Sequence, residues 1–220
     1  MNKTYRIVWS ETKARWVVAA KALRHEALRA GKLLLATALL GLTPAWALDP
    51  GALPTGGQIT AGQGSISQNG NSLTVNQQSE RLIANWSTFN IGSDAAVRFQ
   101  QPGSSSIALN RILDQNPSQI FGTLAANGRV FLLNPSGIVF GASARVDVGG
   151  LVASSLNLSD EDFLAGRYRF NGSGGAVVNH GMLRTADGGY VAFVAPGVQN
   201  DGSITAPNGN VSLAAGSQVS

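Results

Sequence analysis

The chain of 220 residues contains no cysteine. That excludes a disulfide framework and thiolate metal sites, so the fold must be held by burial and backbone pairing. Lysine is confined to the first 47 residues, and none occurs from Leu48 to Ser220. The formal charge of +4, from 16 Lys and Arg against 12 Asp and Glu, invites a nucleic-acid reading. Its distribution removes that reading. Residues 1–47 hold Lys3, Arg6, Lys13, Arg15, Lys21, Arg24, Arg29 and Lys32 against Glu11 and Glu26, a balance of +6. Residues 48–220 hold eight arginines against ten acids, a balance of −2. A lysine-free segment with more acid than base has no means of tracking a phosphate backbone, and no nucleic-acid partner is expected.

The apolar run Leu33–Leu42 has the length of a signal-peptide core. It falls short of the roughly 20 residues that a membrane-spanning helix needs. Lys32 precedes it, and Ala45-Trp46-Ala47 follows as a small-x-small cleavage pattern. Residues 1–47 therefore read as a helical leader cleaved after Ala47, with Ala45 and Ala47 as the small positions and the inner-membrane export machinery as its partner. Some 30 residues stand before the apolar run, far more than export requires, and they open on Tyr5-Arg6-Ile7-Val8-Trp9.

From Leu48 onward the composition changes. Of 27 glycines only Gly31 and Gly41 precede this point. Short apolar runs alternate with Gly, Asn and Pro, which predicts many short strands and turns. Ser65-Ile66-Ser67, Leu73-Thr74-Val75, Val97-Arg98-Phe99, Val130–Leu133 and Ile138-Val139-Phe140 are examples. Self-similarity is more informative. Asn179, Gly181 and Leu183 match Asn200, Gly202 and Ile204 at a shift of 21, and Gly189-Tyr190-Val191 matches Gly209-Asn210-Val211 at a shift of 20. The same Gly-x-Val unit at Gly128 lies 81 residues before Gly209, read as about four periods. A period near 20 predicts a solenoid of strand-turn coils, each unable to bury its inward side chains alone. Gly and Asn are expected at the corners for positive φ, and Asn179 and Asn200 to stack as an amide ladder. An antiparallel sandwich shares the composition but gives no reason for the repeat. Ser159-Asp160-Glu161-Asp162-Phe163-Leu164 predicts a short capped helix protruding from the solenoid.

Several motifs in one order carry a resemblance. Leu53–Ile59, Asn85–Gly92, Val97–Pro102, Ala108–Ile112, Asn116–Gly122 and Val130–Gly141 together resemble the amino-terminal secretion domain of filamentous-haemagglutinin-type exoproteins of two-partner secretion. The long leader resembles the extended signal-peptide region of the same proteins. The resemblance implies an all-β fold, a right-handed parallel β-helix with an amino-terminal cap, over residues 48–220. It implies a secretion signal of a large adhesin or toxin, recognised by periplasmic domains of an outer-membrane β-barrel transporter. The chain would fold outside the cell, secreted or at the cell surface, with any host-glycan contacts made by regions beyond this chain. The family's Asn-Pro-Asn-Gly-Ile turn stands here as Asn134-Pro135-Ser136-Gly137-Ile138, with Ser136 in place of the second Asn. These five residues are the expected turn and partner-recognition element. Asn116-Pro117-Ser118 is a loose echo of a second family motif.

Two other functions are open to a chain of this composition: a self-sufficient carbohydrate-binding adhesin and a polysaccharide-degrading enzyme. Glycoside cleavage needs paired carboxylates on one groove. The acids after Ala47 are scattered, and His180, the single histidine there, aligns with Asp201 as a corner residue. No catalytic residue, metal ligand or cofactor is expected. The ending Gly216–Ser220 lacks a polar cap for a last coil, which predicts a fragment or truncated product of a longer exoprotein.

Overall fold

The computed structural model describes residues 5–10, 15–20 and 48–220. The chain divides into two units, Met1–Ala45 and Trp46–Ser220. In the first, strands β1 (Tyr5–Ser10) and β2 (Arg15–Ala20) pair antiparallel. The expected helical core of the leader, Leu33–Leu42, lies outside the described residues.

The second unit is a parallel β-helix with three faces. On the first face six strands stack in parallel: β5 (Ser72–Gln77), β7 (Ala96–Gln100), β10 (Thr123–Ala126), the start of β13 (Arg145–Ser154), the start of β16 (Met182–Ala195) and β18 (Ser203–Thr205). The second face stacks β6 (Arg81–Trp86), β8 (Ile107–Ile112), β11 (Arg129–Leu133), the ends of β13 and β16, and β19 (Asn210–Ala215). The third holds β9 (Ser118–Ile120), β12 (Ile138–Phe140), β15 (Val177–Asn179) and β17 (Val198–Asn200). The parallel ladders exclude the sandwich.

A stack of this kind leaves a bare edge at its start, a template for unwanted pairing. Here β3 (Gln58–Ala61) and β4 (Gly64–Asn69) cover it by antiparallel pairing onto β6 and β5. This is the amino-terminal cap. Inside, side chains of successive coils meet in one apolar column that includes Leu73, Val97, Leu124, Val146 and Leu183 from the first face and Leu82, Ala108, Val130, Leu151 and Val191 from the second. Phe140 and Phe193 stack across it, 5.9 Å between centroids.

The period is confirmed where it was read: Asn179 pairs with Asn200, Leu183 with Ile204 and Val191 with Val211. The count from Gly128 to Gly209 is corrected. Val130 pairs with Leu151, Leu151 with Val191 and Val191 with Val211, so three coils rather than four separate them. One coil is twice as long, because residues 155–176 leave the stack between β13 and β15.

This excursion also corrects the protruding helix. Helix α1 (Asp160–Leu164) forms, with Ser159 as its N-cap accepting from Asp162 N at 3.1 Å. It lies back on the second face instead of projecting. Phe163 is fully buried against Phe131, centroids 5.9 Å apart. A second apolar cluster, containing Ile83, Leu109, Phe131, Leu133, Val152, Phe163 and Phe170, thereby coats the outside of that face. The three acids of α1 are each paired with arginine: Asp160 with Arg111, Glu161 and Asp162 with Arg167.

Positive φ is found at Gly70, Gly137, Gly188 and Asn208, as expected, but the glycines of one corner have another cause. Gly128, Gly149, Gly189 and Gly209 form a column between the first and second faces, yet none has positive φ. What they need is room. A Cβ on Gly149 would meet Gly128 O at 2.7 Å, and one on Gly189 would meet Gly149 O at 2.4 Å. Further up the same corner the place is taken by stacked amides: Gln101 Nε2 donates to Gln77 Oε1 at 3.1 Å, and Gly128 N donates to Gln101 Oε1 at 3.0 Å.

Candidate functional site

Asn134 follows the last residue of β11, and Ile138 begins β12, so the turn Asn134–Ile138 bends the chain from the second face to the third. Proline cannot donate to a ladder and suits a turn; here Pro135 is exposed at the bend. Gly137 has φ 108°, a conformation open to glycine. Gly137 N donates to Asn134 O at 2.9 Å, closing the turn.

The Asn134 side chain faces inward and is fully buried. Its amide is spent on the fold. Nδ2 donates to Asn116 O at 3.1 Å and to Ser118 Oγ at 2.9 Å, while Oδ1 accepts from Ser136 N at 2.9 Å. The two bonds that Nδ2 donates stitch one coil to the one before it, and the third closes the turn itself. Ser136 does the same from the outside: its hydroxyl donates to Asp114 O at 2.9 Å. Serine at this position thus makes a cross-coil bond of its own. Ile138 is buried in the central column, and only Pro135 and Ser136 of the five reach solvent.

Asn116-Pro117-Ser118 turns out to be the receiving half of this arrangement. Ser118 pairs in register with Ile138, and its buried hydroxyl accepts the Asn134 amide. The sequence reading missed Ser118 and Asp114; the repeated Asn-Pro-Ser, 18 residues apart, was the available signal. It also missed Asn110, a second buried amide that accepts from Trp86 Nε1 at 2.9 Å and donates to Phe131 O at 3.2 Å. The expected ladder is present, Asn179 Nδ2 donating to Asn200 Oδ1 at 2.7 Å. His180 is an exposed corner residue, its Nδ1 3.5 Å from Asp201 Oδ2. Ala45 and Ala47 lie outside the described residues.

Several carboxylates are spent on hydrogen bonds within the fold. Glu80 accepts from Ser106 Oγ at 3.2 Å, and Asp187 accepts from Asn208 Nδ2 at 2.7 Å. Among the described residues no three His, Asp or Glu side chains are placed to hold a metal ion. One titration is strongly displaced. Burial pushes the Tyr190 phenol up to about 12, against the opposing pull of the Arg129 guanidinium, which lies 5.6 Å from its ring.

These contacts are those of a capped β-helical module whose buried amides serve coil-to-coil registry. Its family is shown directly. The chain belongs to the two-partner-secretion (TPS) secretion-domain family, whose model matches residues 51–220. It is similar to two heme/hemopexin-binding proteins of Haemophilus influenzae. One is 34% identical over 202 residues, covering 84% of this chain and 21% of that protein. The other is 37% identical over 98 residues, covering 44% and 11%. It is also similar to the crystal structure of the HMW1 secretion domain from Haemophilus influenzae, 32% identical with a TM-score of 0.72, covering 75% of this chain and 45% of that one. The chain spans about a fifth of the length of the first of these curated relatives. The matching family is one of secretion domains, and the relatives carry the names of a secretion domain and of heme-binding proteins, not of enzymes.

Proposed function

We propose that residues 48–220 are the secretion signal of a large exoprotein, recognised by a cognate outer-membrane β-barrel transporter and folding into the β-helix outside the cell. The observation that carries this reading is a continuous family match over residues 51–220 that coincides with one cored unit. The transporter engages the chain through its periplasmic domains. Residues 1–47 act first, as an extended signal peptide that passes the chain to the inner-membrane machinery and is removed after Ala47. The product is secreted or displayed at the cell surface.

Recognition by the Asn134–Ile138 turn belongs to the extended chain. In the folded domain the Asn134 amide is enclosed, whereas before folding all five side chains are available to a partner. The test is export in a strain carrying the cognate transporter. Deleting residues 53–140 should abolish appearance in the medium while leaving inner-membrane passage intact; normal release of the deleted form overturns the proposal. Mass measurement of the exported form should give Leu48 as its first residue, and another terminus would refute the cleavage site.

A further inference from the structure

In a solenoid each coil touches only its neighbours, and stability is close to a sum of nearest-neighbour terms. The excursion 155–176 breaks that rule. It is closed at its base by Asn157 and Asn171, each backbone N–H donating to the other's carbonyl at 2.9 and 3.0 Å. From there it reaches back along the outside of the second face. Arg111 of the second coil holds it by three bonds: to Asn157 Oδ1 and Leu158 O at 2.8 Å each, and to Asp160 Oδ1 at 2.6 Å. Arg81 of the first coil donates to Phe163 O at 2.9 Å and to Tyr168 Oη at 3.0 Å, with its guanidinium 5.5 Å from the Phe163 ring centre. At the other end β14 (Phe170–Asn171) pairs antiparallel with β20 (Gln218–Val219), beyond the sixth strand of the second face. A single short segment therefore joins the first coil to the last.

We infer that this strap is a clasp that makes the stacked coils one cooperative unit, docking only after the coils that receive it have closed. The part of its docking surface that holds Phe163, with Arg81, Ile83, Leu109, Arg111, Phe131 and Leu133, comes from residues 81–133, which precede it in the chain; Tyr190, Ala192, Val194 and Val219 complete the cluster from the later coils. Until it docks, Ile83, Leu109, Phe131 and Leu133 form an uncovered apolar stripe on an otherwise closed helix. Docking buries that stripe and links coils that share no other contact, so afterwards the first coil cannot open without releasing the strap. On the secretion reading above, such a step would hold the emerged domain against slipping back; the clasp itself does not depend on that reading.

Native-state hydrogen exchange, followed by mass spectrometry on the full chain, tests the clasp without any export assay. In the unaltered chain the slowest amides of Arg81–Trp86 and of Tyr190–Ala195 should open together, with equal protection. Phe163→Ala combined with Tyr168→Phe alters the strap alone. It should make the Arg81–Trp86 amides exchange at least about tenfold faster than the Tyr190–Ala195 amides, because the first coil is then free to open by itself. Val130→Ala, in the central column, should instead lower both by the same factor. Equal loss in both segments from the strap variant would overturn the clasp, since the strap would then only add stability. Unequal protection in the unaltered chain would overturn it as well. A third chain, with residues 158–170 replaced by Asn-Gly between the paired Asn157 and Asn171, repeats the comparison with the strap absent.

Discussion

Replacing Asn134 with alanine removes three hydrogen bonds from a fully buried position. Each neutral bond contributes about 0.5–1.5 kcal/mol net, and a buried partner left unpaired costs more. Ser118 Oγ is buried, so its loss is felt in full; Ser136 N lies in a half-exposed turn where water recovers part of the loss. The expected cost is about 2–4 kcal/mol, which for a domain of this size lowers Tm by roughly 10 °C. Urea unfolding followed by far-ultraviolet circular dichroism measures it directly. A loss below about 1 kcal/mol would refute the view that the Asn134 amide stitches coils together.

The same variant separates the two roles of the turn. Asn110→Ala is a matched control, because Asn110 is equally buried and also makes three bonds, to Trp86, Ala108 and Phe131. Both variants should lose similar stability. If export falls further for Asn134→Ala than for Asn110→Ala, the turn is read by the transporter; equal export reduces it to a structural turn and removes it from the recognition proposal.

Two further predictions follow from packing and titration. Gly189→Ala should cost about 1–3 kcal/mol in the same unfolding assay, since its Cβ would press on Gly149 O and Thr185, whereas Gly103→Ala, with open space around it, should fall within about 0.5 kcal/mol of the parent. The Tyr190 phenol has a folded-state value raised above its usual 10 to about 12, so the folded state favours the neutral form. Its contribution is full below pH 10 and is lost as the pH rises through about 12; stability should decline across that interval, and Tyr190→Phe should flatten the decline.

How much of this was legible follows from which coils are regular. The period was readable between Val178 and Leu213 because those two coils stack without interruption, and register pairs appear there at shifts of 20 and 21. The cap and the turn came through family resemblance, since nothing in the period itself announces an antiparallel cover. Positive φ accounts for Gly137 and Gly188 but not for the column Gly128, Gly149, Gly189 and Gly209. Positive φ is a local property that sequence patterns report, whereas the approach of Gly189 to the Gly149 carbonyl exists only once two coils are stacked 40 residues apart.

The strap marks the deeper limit, and it left a trace. A strand with one wet face alternates, but a strand covered on both sides reads as a continuous apolar run. Val130-Phe131-Leu132-Leu133 is such a run, and so is Leu82-Ile83-Ala84; in both, every side chain is buried. Read only as one short strand among many, Val130–Leu133 gives no sign of a cover, and the Ser159–Leu164 helix is then expected to protrude. The outward-facing Ile83 and Phe131 required a cover, and Phe163, the one aromatic in a helix that opens on three acids, supplies part of it. The excess apolar residues of the second face and the excess length of the fourth coil therefore have one cause. A solenoid whose strands are too apolar for a single core must carry, somewhere in its loops, the segment that forms the second.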